Sequence, residues 1–253
     1  MNTSGENNQM FLVCGYSAAG KTASLRNIRD QEDWIYFGCE AGKGIPFKHK
    51  FNYVKISDPK DLLESIYEII EDEKDPKNKP YKGIIIDSID FLMNQFESLY
   101  CYNVQDSRKG WQDYSQYFQE LLQFALVAWN KPVICLAHLQ TDMQNETNVM
   151  LSHVPVKGSL RWYTVESYFN VVIYARKMSV PELKLYEKGN DLLHISDRER
   201  QVGVKYVFQT LPTKLDHNNT IRGPMDLFTD NETYVDNDCQ LILDKLNSYY
   251  GEN

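Results

Sequence analysis

Residues Met10 to Thr22 read Met-Phe-Leu-Val-Cys-Gly-Tyr-Ser-Ala-Ala-Gly-Lys-Thr, and this stretch decides the fold. The apolar run Met10–Cys14 predicts a buried strand, and the small residues that follow Gly15 predict a tight loop. The polar stretch Ala23–Arg29 after the loop suits a helix. A strand, the pattern G-x-x-x-x-G-K-T and a helix together make the phosphate-binding loop in its structural context.

Each part of this loop has a chemical task. Glycines let the backbone turn so that N–H groups point at phosphate oxygens, and a helix N-terminus adds partial positive charge there. Lys21 would reach the β- and γ-phosphates of ATP, and the Thr22 hydroxyl would ligate Mg²⁺. The predicted nucleotide-binding residues are Gly15, Tyr16, Ser17, Ala18, Ala19, Gly20, Lys21, Thr22 and Ala23.

Composition excludes several classes of protein. Of 253 residues, 42% are hydrophobic and 25% are charged, as in ordinary globular proteins, and no apolar run approaches a membrane span. We therefore expect no membrane contact. The net charge of −8 means that any nucleic-acid site would have to be a local basic strip. The five cysteines form no C-x-x-C pair, which indicates free thiols in the reducing cytoplasm.

Three more apolar, strand-like runs end in a polar side chain: Glu40, Asp87 and His138. The carboxyl ends of parallel strands meet at one edge of a sheet, where phosphates bind, so we expect these groups near Lys21. Asp87 would hold Mg²⁺ together with Thr22. His138 would sense the γ-phosphate, or else be a hydrogen-bonded histidine at a strand end.

Strand and helix patterns alternate through the first two thirds of the chain, which predicts an α/β fold with a mostly parallel central sheet flanked by helices. Residues 1–9 are expected to be disordered and 10–253 to form one domain. Within that domain, 10–177 would be the nucleotide-binding core, and 178–253 would add antiparallel strands and a C-terminal helix.

Four segments outside the motifs carry specific expectations. The aromatic residues of Tyr114–Trp129 repeat at helical spacing and indicate core rather than a base-stacking face. Leu139–Val154 is polar and irregular, which favours a long functional loop. Leu183–Glu187 is expected to be a strand, and Leu241–Tyr249 a closing helix.

At this point the motifs resemble the RecA-like core ATPases, and in particular the compact phage members proposed as single-strand-annealing recombinases, the Sak-type ATPases. The resemblance covers about residues 10–215 and lies in three features: Glu40 after the strand Trp34–Cys39, the run Ile84-Ile85-Ile86-Asp87-Ser88, and the strand Val133–His138 followed by a long loop. It implies a RecA-like P-loop NTPase core in which Glu40 polarises the attacking water. The alternative for Glu40 is a surface carboxylate beside Lys43.

There are departures from the family pattern. RecA-like proteins usually have glutamine at the position of His138, whereas here Gln140 comes two residues later. The loop that contains Lys214 and Arg222 is similar to the trans-acting lysine/arginine pair of ring helicases, but its spacing is longer. The resemblance therefore implies a homo-oligomer, either ring or filament, in which Lys214 or Arg222 serves a neighbour's active site.

The resemblance also implies single-stranded DNA as a partner, with a single-strand-binding protein as a further one, in the bacterial host cytoplasm if the chain is phage-encoded. Arg108, Lys109 and Lys157 would contact DNA phosphates, and Trp111 would stack on a base. The alternative for each cation is a solvated surface charge. Three other functions remain open: a ring-forming motor or helicase-like ATPase, a small-molecule kinase, and a structural protein that binds nucleotide.

Overall fold

The computed structural model describes residues 6–40, 42–102, 105–144, 149–157, 164–216 and 219–251. Ten strands are found there: β1 (Met10–Gly15), β2 (Trp34–Gly38), β3 (Asn52–Lys55), β4 (Gly83–Asp87), β5 (Val133–His138), β6 (Gln140–Gln144), β7 (Val149–His153), β8 (Val171–Ser179), β9 (Val204–Gln209) and β10 (Tyr234–Asp236). The α-helices are α1 (Pro59–Asp72), α2 (Ile89–Phe96), α3 (Ser107–Gln119), α4 (Leu126–Trp129), α5 (Val180–Glu187), α6 (Asp197–Val202) and α7 (Cys239–Tyr250).

Eight of the strands form one sheet in the order β10-β9-β8-β1-β5-β4-β2-β3. The six strands from β8 to β3 run parallel, and β9 and β10 extend the sheet antiparallel from β8. The predicted α/β class, with a mostly parallel sheet and an antiparallel C-terminal extension, is confirmed. Strand β5 lies between β1 and β4, so the phosphate loop and Asp87 sit on either side of His138 at the same sheet edge.

The central strands are buried on both faces, which explains their continuous apolar runs. In β1, Leu12 and Cys14 point to one face, and Phe11 and Val13 point to the other. Helices α1 to α4 cover the first face with a large core that includes the aromatic residues of α3, as the sequence predicted. Helix α7 covers the second face through Ile242, Leu243 and Leu246.

The helix expected over Ala23–Arg29 is only one 3-10 turn, Thr22–Leu25. The start of α7 packs against this segment, and side chains from α7 and its N-cap bond to polar groups in it, including one backbone N–H that a longer helix would have paired internally. These links join Ser24 to Cys239 (3.1 Å), Asn27 to Asp238, and the backbone N–H of Arg29 to Gln240 (2.9 Å). The sequence expectation was wrong here because the partner lies more than 200 residues away.

Two other local expectations were also wrong. Leu183–Glu187 belongs to helix α5, not to a strand, because Ser179 and Glu182 form a capping box that begins the helix. Arg108, Lys109 and Trp111 lie in α3 rather than in a loop, because Asp106 accepts hydrogen bonds from the N–H groups of its first turn.

The expected loop Leu139–Val154 contains an antiparallel pair of strands, β6 and β7. Residues 145–148 between them, and 158–163 after Lys157, lie outside the described residues. Polar residues on both strands hid the pairing from the sequence pattern, because alternation is informative only where one face is buried. This hairpin follows β5 directly, so it begins at the sheet edge that carries His138.

The N-terminus differs from the expected disorder over residues 6–9. The Asn7 amide donates to the backbone oxygens of Leu126 (3.0 Å) and Lys131 (2.8 Å), and Gln9 is buried too. Residues 1–5 lie outside the described part of the chain. Among the described helices, none combines the length and apolar character needed to cross a lipid bilayer.

The segment after the phosphate loop forms only a short 3-10 turn, so α7 covers much of the second face of the sheet and should contribute strongly to stability. We expect Leu246→Ala to lower the free energy of unfolding by about 2–5 kcal/mol, because Leu246 is fully buried. Leu185→Ala is the matched control in α5, where the leucine is 83% exposed and the change should stay within about 0.5 kcal/mol. Urea unfolding of both variants measures the difference, and equal losses would contradict this role of α7.

Candidate functional site

The phosphate loop lies between the end of β1 and the turn at Thr22. Gly20 has a φ of +91° and Ala18 a φ of 61°, so the loop depends on left-handed backbone conformations at two positions. The ammonium of Lys21 turns back into the loop and donates to the backbone oxygens of Gly15 (2.9 Å) and Tyr16 (3.1 Å). Burial lowers the pKa of Lys21, although nearby carboxylates oppose the shift. The loop therefore holds a desolvated cation where phosphates would bind.

Asp87 at the end of β4 forms the centre of the site. Its Oδ2 accepts hydrogen bonds from the Thr22 hydroxyl at 3.0 Å and from the Tyr36 hydroxyl. Its Oδ1 is buried and finds no partner among the described residues. Burial raises the pKa of Asp87, and Glu40 adds to that shift, while the two hydroxyls oppose it. A carboxylate held in this way has a free ligand atom for a cation.

The oxygen atoms of Thr22 and Asp87 are suited to hold Mg²⁺. Mg²⁺ is commonly held in nucleotide sites by one or two protein oxygens together with phosphates and water. The unpaired Oδ1 of Asp87 and the adjacent Thr22 hydroxyl supply such oxygens. Tyr36 was not predicted from the sequence, because its place beside Asp87 depends on the pairing of β2 with β4, in which Tyr36 lies opposite Ile85.

Glu40 follows β2 and is only 9% exposed. Its Oε2 lies 2.6 Å from the ammonium of Lys43, so the neighbour named in the alternative is its partner, but the carboxylate is buried and not on the surface. The hydrogen bond to Glu40 raises the pKa of Lys43. Glu40 also lines the same cavity as Lys21 and Thr22. The geometry thus gives Glu40 both the ion pair and access to the nucleotide site.

His138 is held by Asp90, a residue to which the sequence analysis gave no role. The backbone N–H of His138 donates to Asp90 Oδ1 (2.9 Å), and its Nδ1 lies 3.0 Å from Oδ2. Burial alone would raise the pKa of Asp90, but these bonds outweigh it and the pKa falls below its usual value. When Nδ1 donates, Nε2 of the neutral ring is left as an acceptor. The spacing Asp87-x-x-Asp90 was the available signal.

These side chains line one cavity of about 610 Å³, which is large enough for a nucleotide. Lys21, Thr22, Glu40 and His138 lie around it, and Asp87 is bonded to Thr22 beneath. A second cavity, of about 790 Å³, lies on the other side of the phosphate loop against β8 and the hairpin. The sequence therefore correctly predicted that the carboxyl ends of β1, β2, β4 and β5 lie close together.

The two residues predicted to serve a neighbour's active site, Lys214 and Arg222, lie outside the cavity that contains Lys21. The guanidinium of Arg222 donates to the backbone oxygens of Glu166 and Phe169, and its backbone pairs with Val172 near the start of β8. Arg222 therefore ties its own chain together, away from the phosphate loop. Lys214 is exposed beside the second cavity. The sequence could not reveal the Arg222 contacts, because they join residues more than 50 positions apart.

The four DNA-binding candidates divide into two kinds. Arg108 and Lys109 are exposed on the first turn of α3. Trp111 packs edge-on against tyrosine rings on either side, and the Lys157 ammonium binds Glu97 at 2.6 Å. The last two therefore have partners within the chain, and a role for any of the four in DNA binding stays a prediction.

Tyr16 connects the phosphate loop to the hairpin, a link that sequence reasoning missed. Its hydroxyl contacts the hydroxyls of Thr141 on β6 and Ser152 on β7, the latter at 2.8 Å. Thr141 and Ser152 are also opposite each other in the β6–β7 register. A movement of the loop would therefore reach both strands of the hairpin through one side chain.

Comparison with known proteins gives one family. A family model described as an AAA domain matches residues 7–209, which is most of the chain and includes every cavity residue from Lys21 to His138. No curated protein matches this sequence.

The raised pKa of Asp87 leads to a test. A carboxyl group whose pKa is higher in the folded than in the unfolded state stabilises the folded protein at pH values below the unfolded pKa. This stabilisation is lost as the pH rises through the folded pKa. At pH 7 the buried charge is therefore a cost, and Asp87→Asn removes it. We expect the nucleotide-free variant to melt at a higher temperature than the wild type at pH 7, with the difference narrowing toward pH 4.

Asp216→Asn is the control, because the pKa of Asp216 is shifted in the opposite direction to that of Asp87. Burial would raise the pKa of Asp216, but hydrogen bonds from Thr213 and Gln209 and the charge of Arg176 bring it below the usual value. Removing that charge should lower the melting temperature at pH 7. Thermal unfolding followed by circular dichroism measures both variants. A lower melting temperature for Asp87→Asn at pH 7 would contradict our account of the site.

Proposed function

The chain belongs to the AAA domain family, and from that premise we propose that it binds and hydrolyses ATP in the 610 Å³ cavity and couples this reaction to single-stranded DNA. The observation that carries the first part is Asp87, which accepts a hydrogen bond from Thr22 through Oδ2 and keeps a buried Oδ1 that finds no partner among the described residues. A buried acceptor without a partner is costly, and a bound cation would relieve that cost.

Each residue then has a role in phosphoryl transfer to water. Lys21 offsets the negative charge of the phosphates, and Thr22 and Asp87 hold Mg²⁺. Mg²⁺, when bound, neutralises charge on the phosphate oxygens. Glu40 accepts a hydrogen bond from water and orients it toward the γ-phosphate. Asp90 holds the ring of His138 through Nδ1 and leaves Nε2, the other ring nitrogen, as an acceptor for a group in the cavity.

We further propose that the active site is completed by a neighbouring subunit. The candidates for the trans-acting cation are Lys214 and Arg222, and Arg222 would have to leave the backbone oxygens of Glu166 and Phe169 to act. A trans arginine or lysine adds charge where the transition state needs it, and the effect of an arginine finger is about 10³-fold or more.

The role of Glu40 is tested by Glu40→Gln, which keeps the shape of the side chain. We expect turnover to fall by about 10²-fold or more, because the amide cannot act as a base, while ATP binding is retained. Lys43→Met is the matched comparison, because it breaks the same ion pair and leaves the carboxylate. Phosphate release and ATP titration measure the two effects. Normal turnover in Glu40→Gln would rule the role out.

Single-stranded DNA is proposed as the partner because of the resemblance to RecA-like proteins, supported by two features of the fold. Arg108 and Lys109 present adjacent exposed charges on the first turn of α3, where they could contact phosphates. The hairpin that follows His138 is joined to the phosphate loop by Tyr16. A change in the phosphate loop on nucleotide binding would therefore be transmitted through Tyr16 to the hairpin that follows β5.

A titration of fluorescent oligonucleotide, with and without an ATP analogue, tests this part. We expect the double variant Arg108→Gln, Lys109→Gln to bind more weakly and to show a smaller dependence of log affinity on log salt. The control is Lys184→Gln, Lys188→Gln, which removes the same charge from exposed positions on and beside α5. Equal effects of the two double variants would show only a dependence on net charge.

Other outcomes would favour the other functions. Absence of binding at low salt in both nucleotide states would defeat the DNA proposal. ATP-driven strand separation by discrete hexamers would favour a ring motor. Rapid ATP consumption only in the presence of a metabolite would favour a small-molecule kinase.

A further inference from the structure

The cavity that contains Lys21 and Glu40 continues beyond the phosphate loop. Its far part is lined by Arg26, Tyr206 on β9, and Asn237 just after β10. Asn237 lies outside the matched AAA domain, and neither Tyr206 nor Asn237 has a role in the chemistry proposed above. This far part is where the rest of a nucleotide would extend if its phosphates occupy the loop, so the inference rests on the proposed function.

Asn237 shows that this part of the cavity is built for a ligand. The residue is 5% exposed, and its Nδ2 finds no acceptor among the described residues. Arg26 holds it in place by donating to its backbone oxygen at 3.1 Å. A Cβ added to Gly20 would lie 3.4 Å from Nδ2, so the amide rests directly against the phosphate loop. A buried N–H without an acceptor is costly unless a ligand supplies one.

Tyr206 supplies an aromatic surface next to this amide. The ring lies beside Gly20, 3.2 Å from where a Cβ on that residue would be, and the side chain remains 43% exposed. An aromatic ring fixed on one side and open on the other is suited to stack on a planar base. Tyr206 and Asn237 thus offer a stacking surface and a hydrogen-bonding edge within one cavity.

The Asn237 amide and the charged groups around it favour adenine over guanine. An asparagine amide has a donor and an acceptor, which match the N7 acceptor and N6 amino donor of adenine, whereas guanine presents two acceptors at the same edge and is usually read by lysine or arginine. Both nearby cations have partners. Lys205 binds Glu199 (3.0 Å) and Asp236 (2.9 Å), and Arg26 binds the backbone oxygens of Ala23 and Asn237.

We propose that Tyr206 and Asn237 form an adenine subsite, in which the ring stacks on the base and the Asn237 amide pairs with its N6 and N7 edge. The subsite makes the protein selective for ATP over GTP. It is built from the antiparallel extension of the sheet, whereas the phosphate subsite is built from the parallel core.

The test compares affinities for three probes in the presence of Mg²⁺: a non-hydrolysable ATP analogue, the matching GTP analogue, and inorganic tripolyphosphate. Isothermal titration of the full chain gives each affinity. We expect the wild type to prefer the ATP analogue by about 10-fold or more, which is the discrimination of one good paired base edge. Tripolyphosphate reports the phosphate loop alone.

Asn237→Leu keeps the approximate size of the side chain but removes both the donor for N7 and the acceptor for the N6 amino group, so the paired edge that favours adenine is lost. We expect the ratio of ATP to GTP affinity to fall by about 10-fold. The ratio cancels any general effect of the substitution on triphosphate binding. Tyr206→Leu should weaken both nucleotides and leave tripolyphosphate unchanged, whereas Tyr206→Phe should bind as the wild type does.

The outcomes separate the two proposals. Tripolyphosphate binding with equal affinities for ATP and GTP analogues, or a ratio unchanged in Asn237→Leu, would overturn the adenine subsite and leave the phosphate site standing. Failure of all three probes to bind would overturn the proposed function and the subsite together. Normal binding of both nucleotides by Tyr206→Leu would overturn the stacking role.

Discussion

A buried carboxylate at the end of β4 is the constraint around which the nucleotide site is arranged. Moving an ion out of water costs several kcal/mol in a folded protein, and a hydrogen bond to a charged group returns roughly 1.5–3 kcal/mol. Asp87 receives two such bonds, from Thr22 and Tyr36, and its pKa still lies above the usual value. The hydroxyls therefore do not fully compensate for burial, and the remaining cost is what a cation beside Oδ1 would remove.

The order of the strands brings the other groups of the site around this carboxylate. Because β4 is covered on both faces by α-helical and apolar layers, its carboxylate can be approached only from the sheet edge. On one side of β4, Tyr36 comes from β2; on the other, Asp90 reaches across to β5 and fixes His138. The phosphate loop comes from β1, one strand further. Parallel strands bring all these groups to one edge although they are distant in sequence.

The sequence predicted what depends on short-range patterns and failed where the partner is far along the chain. The phosphate loop, the four strand ends and the aromatic core of α3 follow from spacing and burial within a few residues. Asp90 was missed because its role depends on His138, 48 positions later. The contacts of Arg222 with the backbone oxygens of Glu166 and Phe169 were missed because they join residues more than 50 positions apart. Tyr16 stands in the loop motif itself, and its contact with the hairpin is visible only in three dimensions.

The wrong prediction of a helix after Thr22 is informative about how this chain builds its site. The segment after the loop makes only one 3-10 turn, and its polar groups bind the residues that begin α7. Just before α7, Asn237 rests against Gly20. The phosphate loop is therefore supported on one side by the C-terminal part of the chain. A ligand that contacts both the loop and Asn237 would hold these two parts together, so its binding energy would also stabilise the packing of α7 on the sheet.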